Sequence, residues 1–227
     1  MNGYRLRGMD MLKNVFSHVK YVGIAFAVVC FMYVLAGTYL YTSKSIDTQN
    51  AKLIEPITIT LADVYGSNLP SAPTQEEVYA TIEGPDKNNN FIRDDVELAI
   101  HTEYANNPGL RAASLQYAQA LQLLLTKVGG EETMTTVAFK EGNGTSCISD
   151  VLPGFTSEER AMIDAATEDT DATRKAFQRL NTITEEKISF VESLVINTSD
   201  REQQRSEMNK KYLTYGGSDN KPCTFEL

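Results

Sequence analysis

From Tyr21 to Tyr41 the chain carries no charge and little polarity. A helix crosses the ~30 Å apolar core of a bilayer with ~20 such residues. Lys20 and Lys44 close the run, and tyrosines stand at both ends, where amphipathic rings favour the membrane interface. The pattern predicts a transmembrane anchor over residues 21–43, after a cytoplasmic tail over 1–20. Residues 44–75 read as a stem. Within it, Ile57-Thr58-Ile59-Thr60-Leu61 alternates as one short strand would, with no second strand to pair with. From Thr74 onward the periodicity is helical. A short helix is expected from Thr74 to Ile82, stopped by Gly84-Pro85, and another from Asp95 to Tyr104. The next carries Leu110, Ala113, Tyr117, Leu121, Leu124 and Val128 on one face, and Gly129-Gly130 ends it. Glu131 to Lys140 reads as a helix, followed by a loop at Asn143-Gly144-Thr145-Ser146-Cys147. Thr156-Ser157-Glu158-Glu159 is a capping box that opens a helix to about Thr167. A long helix follows from Asp171 to Val195, with Ala176, Leu180, Ile183, Ile188, Val191 and Leu194 as core positions. The last runs from Asp200 to about Tyr215. The expected fold is all-α: one N-terminal anchor, then a helical domain over residues 76–227.

Charge gives this layout a direction. Arg5, Arg7, Lys13 and Lys20 precede the run, opposed only by Asp10, while the whole chain is at −9. Positive flanks stay in the cytoplasm, so the expected topology is N-terminus in and C-terminal domain out, in the periplasm or outside the cell. The run reads as an uncleaved anchor. A cleaved signal has an apolar core of ~7–15 residues and a small-x-small site, whereas Ala36-Gly37 is preceded by Val34-Leu35. The acidity of the rest argues against nucleic acid, whose phosphates need clustered Lys and Arg.

The chain has three cysteines. Cys30 lies in the apolar run. Cys147 and Cys223 are the pair left in the outer domain, and an oxidising compartment favours one disulfide between them; two separate thiols are the alternative. The only histidines are His18, beside the anchor, and His101. That leaves too few ligands for a zinc site. His101 falls one helical turn after Glu97, which suits an ion pair or an exposed side chain better than catalysis.

One segment has the spacing of a metal loop. Asp86-Lys87-Asn88-Asn89-Asn90-Phe91-Ile92-Arg93-Asp94-Asp95-Val96-Glu97 places oxygens at positions 1, 3, 5, 7, 9 and 12 of a calcium loop: Asp86, Asn88, Asn90, the Ile92 carbonyl, Asp94 and Glu97. Calcium takes six to eight such oxygens, and a glutamate at the last position binds through both of its own. Phe91 stands where glycine normally makes the sharp turn. With neutral asparagines at positions 3 and 5, the expected affinity is in the weak extracellular range, ~10⁻⁴–10⁻³ M. The competing reading is an Asn-rich turn whose Asp94 or Asp95 caps the next helix.

This loop resembles the single calcium-type loops of dockerins and thrombospondin type 3 repeats. The longer block from Ile82 to Glu97, with Leu110-Arg111-Ala112-Ala113 and Gln116-Tyr117-Ala118 after it, resembles a family of bacterial exported proteins of unknown function. Val195-Ile196-Asn197-Thr198 and Cys223 are similar to that family's late Asn-Thr and cysteine. The resemblance implies a calcium-type loop followed by helices and brings no activity. The leading expectation is a non-enzymatic, membrane-anchored envelope protein that binds a protein partner, as a component of an assembly. Two other readings stand beside it: an envelope hydrolase using carboxylates, and a calcium-tuned sensor.

Overall fold

The computed structural model describes residues 3–165, 170–212 and 216–225, with side chains from Tyr21 onward. The described residues form nine helices and no strand: α1 (Gly3–Ile54), α2 (Leu61–Tyr65), α3 (Gln75–Tyr79), α4 (Asp94–Glu103), α5 (Pro108–Lys127), α6 (Glu131–Val151), α7 (Ser157–Ala165), α8 (Asp171–Val195) and α9 (Ser199–Lys211). The chain divides into two compact units, Met1–Ile46 and Asp47–Leu227.

The first unit is helix throughout its described residues. From Tyr21 onward its apolar side chains lie open: Phe26 is 70% exposed and Leu40 67%. The helix over Tyr21–Ile54 is long and apolar enough to cross a membrane.

The second unit begins inside α1. The stem expected over 44–75 is therefore part of a folded body from Asp47 onward. The Asp47 carboxylate accepts from the Glu132 and Thr133 backbone N–H groups and from the Thr133 hydroxyl, at 2.8, 3.3 and 2.7 Å. It caps the N-terminus of α6 from far away in sequence, where orphan N–H groups and the helix dipole both favour a carboxylate. Ile54 packs with Leu123, Leu124, Met134 and Val137. The strand expected over Ile57–Leu61 does not form. Thr60 instead caps α2 in a reciprocal box with Asp63, and Ile59 and Val64 enter the main core.

The centre of this unit is α5. Pro108 starts it, Asn107 caps it by accepting from the Leu110 N–H at 3.0 Å, and every residue from Leu110 to Leu125 is buried. It packs against α2, α4, α6, α8 and α9. A helix buried all round needs hydrophobic or well-partnered residues on every face. The buried polar members of α5 include Gln116, Gln119 and Gln122, three residues apart. Each donates its amide to a carbonyl of irregular backbone: Pro222, Asn90 and Glu83, all at 2.7 Å.

Buried arginines tie helix ends together in the same way. Arg93 donates to the Leu194 and Val195 carbonyls at the end of α8. Arg201 reaches the Val78 carbonyl of α3 and the Thr81 and Ile82 carbonyls after it. Arg111 joins the Val64 carbonyl of α2 to the Tyr104 and Ala105 carbonyls after α4. The last carbonyls of a helix have no partner within it and carry partial negative charge, so a guanidinium there satisfies both.

The loop expected at Asn143–Cys147 is helical: α6 runs unbroken to Val151. Gly144 is the reason. A Cβ on it would lie 2.8 Å from the Tyr117 Cα, so glycine is what lets α6 lie against α5. Cys147 and Cys223 form a disulfide that ties the C-terminal tail to α6. The long helix over Asp171–Val195 has the expected bounds. The expected end of α7 at Thr167 lies outside the described residues, and α9 ends at Lys211, with Tyr212 already extended, short of the expected Tyr215.

Candidate metal centre

Residues 84–97 enter and close a tight loop. Gly84 has φ +64°, and a Cβ there would meet the Arg93 Cδ at 2.3 Å, so the backbone passes the buried arginine only as glycine. The Asp94 N–H donates to the Pro85 carbonyl at 2.8 Å, and α4 begins at that residue.

Between these points the backbone wraps round its own side chains. Asp86 accepts from the Asn90 N–H at 3.1 Å and the Phe91 N–H at 3.0 Å. Asn88 Oδ1 accepts from the Asn90 N–H at 3.4 Å, and Asn90 Oδ1 from the Ile92 N–H at 2.9 Å. The turn needs left-handed backbone at Asn89 (φ 57°) and at Phe91 (φ 62°). Asparagine tolerates this and phenylalanine does not, at a cost of ~1–2 kcal/mol. Phe91 keeps its place through packing: its ring joins Ile54, Leu123 and Leu124, with Lys127 over its face. Ile92, at position 7, is wholly buried, which fixes the backbone that bears its carbonyl.

Glu97 sits on the first turns of α4, wholly buried, and both its oxygens accept from the Asn88 amide, at 3.3 and 3.0 Å. Burial, then the nearby charges of Asp63 and Asp94, push its pKa up to about 7. Burial also raises Asp86, and Asp94 adds to the effect. Asp94 is wholly buried. Its Oδ1 accepts from the Lys87 N–H at 2.9 Å, and its Oδ2 has no hydrogen bond, only the Lys87 ammonium 3.9 Å away. A buried carboxylate oxygen without a donor is costly unless a cation comes to it.

Hydrogen bonds within the loop thus link Asp86 to Asn90, Asn88 to Asn90 and Glu97, and Asn90 to Ile92. Among the described residues, no three His, Cys, Asp or Glu side chains converge as a metal-binding group. The set expected from the sequence is mixed: three carboxylates, two amides and one carbonyl. Mixed oxygen sets suit hard cations such as calcium and exclude the thiolate and imidazole sites of zinc.

Sequence reasoning missed Asp63. It is 2% exposed and accepts from the Asn68 amide at 2.8 Å and the Asn90 amide at 3.1 Å. Burial raises its pKa, but hydrogen bonds from Thr60, Asn68 and Asn90 outweigh this and hold it below the ordinary value. The only sequence signal was the Thr60-x-x-Asp63 capping spacing, obscured by the alternation read as a strand. His101 does not pair with Glu97. Its Nε2 lies 2.8 Å from the Asp63 carbonyl, and burial lowers its pKa.

No protein-family model, no curated protein and no solved structure matches this chain.

Proposed function

We propose that this protein is a single-pass envelope protein of the inner (cytoplasmic) membrane. Its N-terminus lies in the cytoplasm and its helical domain in the periplasm or outside the cell. The domain acts without catalysis, by binding a protein partner in an assembly, and a calcium ion on Asp86, Asn88, Asn90, the Ile92 carbonyl, Asp94 and Glu97 stiffens it. The observation that carries the ion is the buried, donorless Oδ2 of Asp94 beside a Glu97 whose pKa is pushed up to about 7. Calcium relieves both, because a divalent charge favours ionised carboxylates. The basic N-terminal flank supports the orientation.

The perturbed groups elsewhere support a binding role, because they are spent on structure. Tyr117 donates to Glu192 at 2.8 Å, and Glu192 pairs with Arg205 at 2.8 Å. Lys140 donates to the Glu55 and Ile57 carbonyls at 2.9 and 2.7 Å.

Calorimetric titration of the full chain in detergent micelles tests the ion. Calcium is expected to bind in the range of ~10⁻⁴–10⁻³ M, and an Asp86→Ala/Glu97→Gln variant is expected to lose that heat. Equal heats from both proteins would remove calcium from the reading. Crosslinking in native membranes tests the partner: one specific adduct is expected, and none would count against a binding role.

A further inference from the structure

We infer that Asp63, outside the loop on α2, is a positioning residue of the ion site: it sets which end of the Asn90 amide faces the loop. This rests on the calcium reading above. A carboxamide offers an oxygen at one end and N–H donors at the other, and only the oxygen ligates a cation. Two bonds fix the choice at Asn90. Its Nδ2 donates to Asp63 Oδ1 at 3.1 Å, and its Oδ1 accepts from the Ile92 N–H at 2.9 Å. A carboxylate only accepts and a backbone N–H only donates, so both partners demand the same orientation, oxygen toward the Ile92 N–H and nitrogen toward Asp63.

Asp63 is itself immobilised. Its Oδ2 accepts from the Thr60 N–H at 2.6 Å and the Thr60 hydroxyl at 2.7 Å, and its Oδ1 also accepts from Asn68 at 2.8 Å. One carboxylate therefore caps α2 and aims a ligand of the neighbouring loop. The Asn68 carbonyl accepts from Asn88 at 3.2 Å, so the same turn holds position 3 as well. Outer partners that orient ligands in this way typically change metal affinity by about 10–100-fold when removed.

The arrangement also explains a neutral asparagine at position 5. An aspartate there would set two carboxylates against each other across the contact that Asp63 and Asn90 now share. The effect of Asn90→Asp on calcium affinity must then reverse with the residue at 63. In the wild-type background it weakens binding through repulsion. In an Asp63→Asn background it strengthens binding, because the added charge meets an amide.

The test is the calcium affinity of the full chain, wild type and the variants Asp63→Asn, Asn90→Asp and the double variant, each checked for helicity by circular dichroism. Asp63→Asn is expected to weaken binding about tenfold. Asn90→Asp is expected to weaken it too, and the double variant to recover wild-type affinity or better. Independently of the ion, the Asn90 side-chain amide resonances of the calcium-free protein are expected to shift in Asp63→Asn. Single variants within about twofold of wild type, or an Asn90→Asp effect of the same sign in both backgrounds, would overturn the inference. A wild type that binds no calcium at all would fail the ion reading first, and this role with it.

Discussion

Phe91 sits where two demands oppose each other. Its φ of 62° belongs to the region that favours glycine, and its ring belongs to an apolar cluster with Ile54, Leu123 and Leu124. Left-handed backbone costs a residue with a Cβ ~1–2 kcal/mol. Full burial of a phenylalanine is worth ~1.5–3 kcal/mol, and this ring is only partly buried. The two nearly cancel, so Phe91→Gly should change the stability of the calcium-free protein by less than about 1 kcal/mol in urea unfolding. The loop should meanwhile close with less strain, so the variant should bind calcium more tightly. A loss above about 3 kcal/mol would instead make the ring a core residue in the full sense. The six oxygen-bearing positions were legible because calcium-loop spacing is local and regular. Asp63 was not, because its role depends on a contact between residues far apart in sequence. Nothing in a single chain read end to end pairs position 63 with position 90.

At the scale of elements, legibility followed amphipathicity. The helix α8 shows one apolar face and clear caps, and its bounds, Asp171 and Val195, are those the pattern gives. By contrast α6 was cut short at Lys140, since Asn143-Gly144 carries strong turn chemistry. Packing overrode it. Gly144 is buried against Tyr117, and a Cβ there would lie 2.8 Å from the Tyr117 Cα and 3.0 Å from its Cβ. Glycine in a helix interior costs ~1 kcal/mol relative to alanine, so an unpacked site would gain by the exchange. Here the obstacle is backbone, which yields only if α5 and α6 separate. Overpacking of this kind costs ~1–3 kcal/mol. Gly144→Ala should therefore lower stability by about 1–2 kcal/mol despite its better propensity, as read from the urea midpoint. A stabilised variant would show that α6 does not depend on this close approach. The three glutamines of α5 follow the same logic: their spacing is visible in the sequence, but the carbonyls of Glu83, Asn90 and Pro222 that they hold are not.

The whole molecule poses a question of compartment, and its cysteines offer the test. The apolar run was the most legible feature because an uncharged stretch long enough to span a bilayer has few other uses. The disulfide was legible by counting, but what it holds was not. Cys223 brings with it a tail whose Thr224 N–H and Pro222 carbonyl both bond Gln116 of the central helix. The two cysteines are 76 residues apart, and closing a loop of that length in the unfolded chain is worth about 4 kcal/mol. The double variant Cys147→Ser/Cys223→Ser should lose stability on that scale in urea, with the tail the first segment to exchange its amide hydrogens. Such a bond persists in an oxidising compartment and is kept reduced in the cytoplasm. The remaining cysteine, Cys30, is free and lies on α1. Intact cells quenched in acid and then denatured with a thiol-alkylating reagent should therefore label Cys30 alone, and prior reduction should add Cys147 and Cys223. Labelling of all three without reduction would place the domain on the reducing side of the membrane. That result would reverse the proposed orientation and remove the extracellular calcium concentrations on which a weak ion site depends.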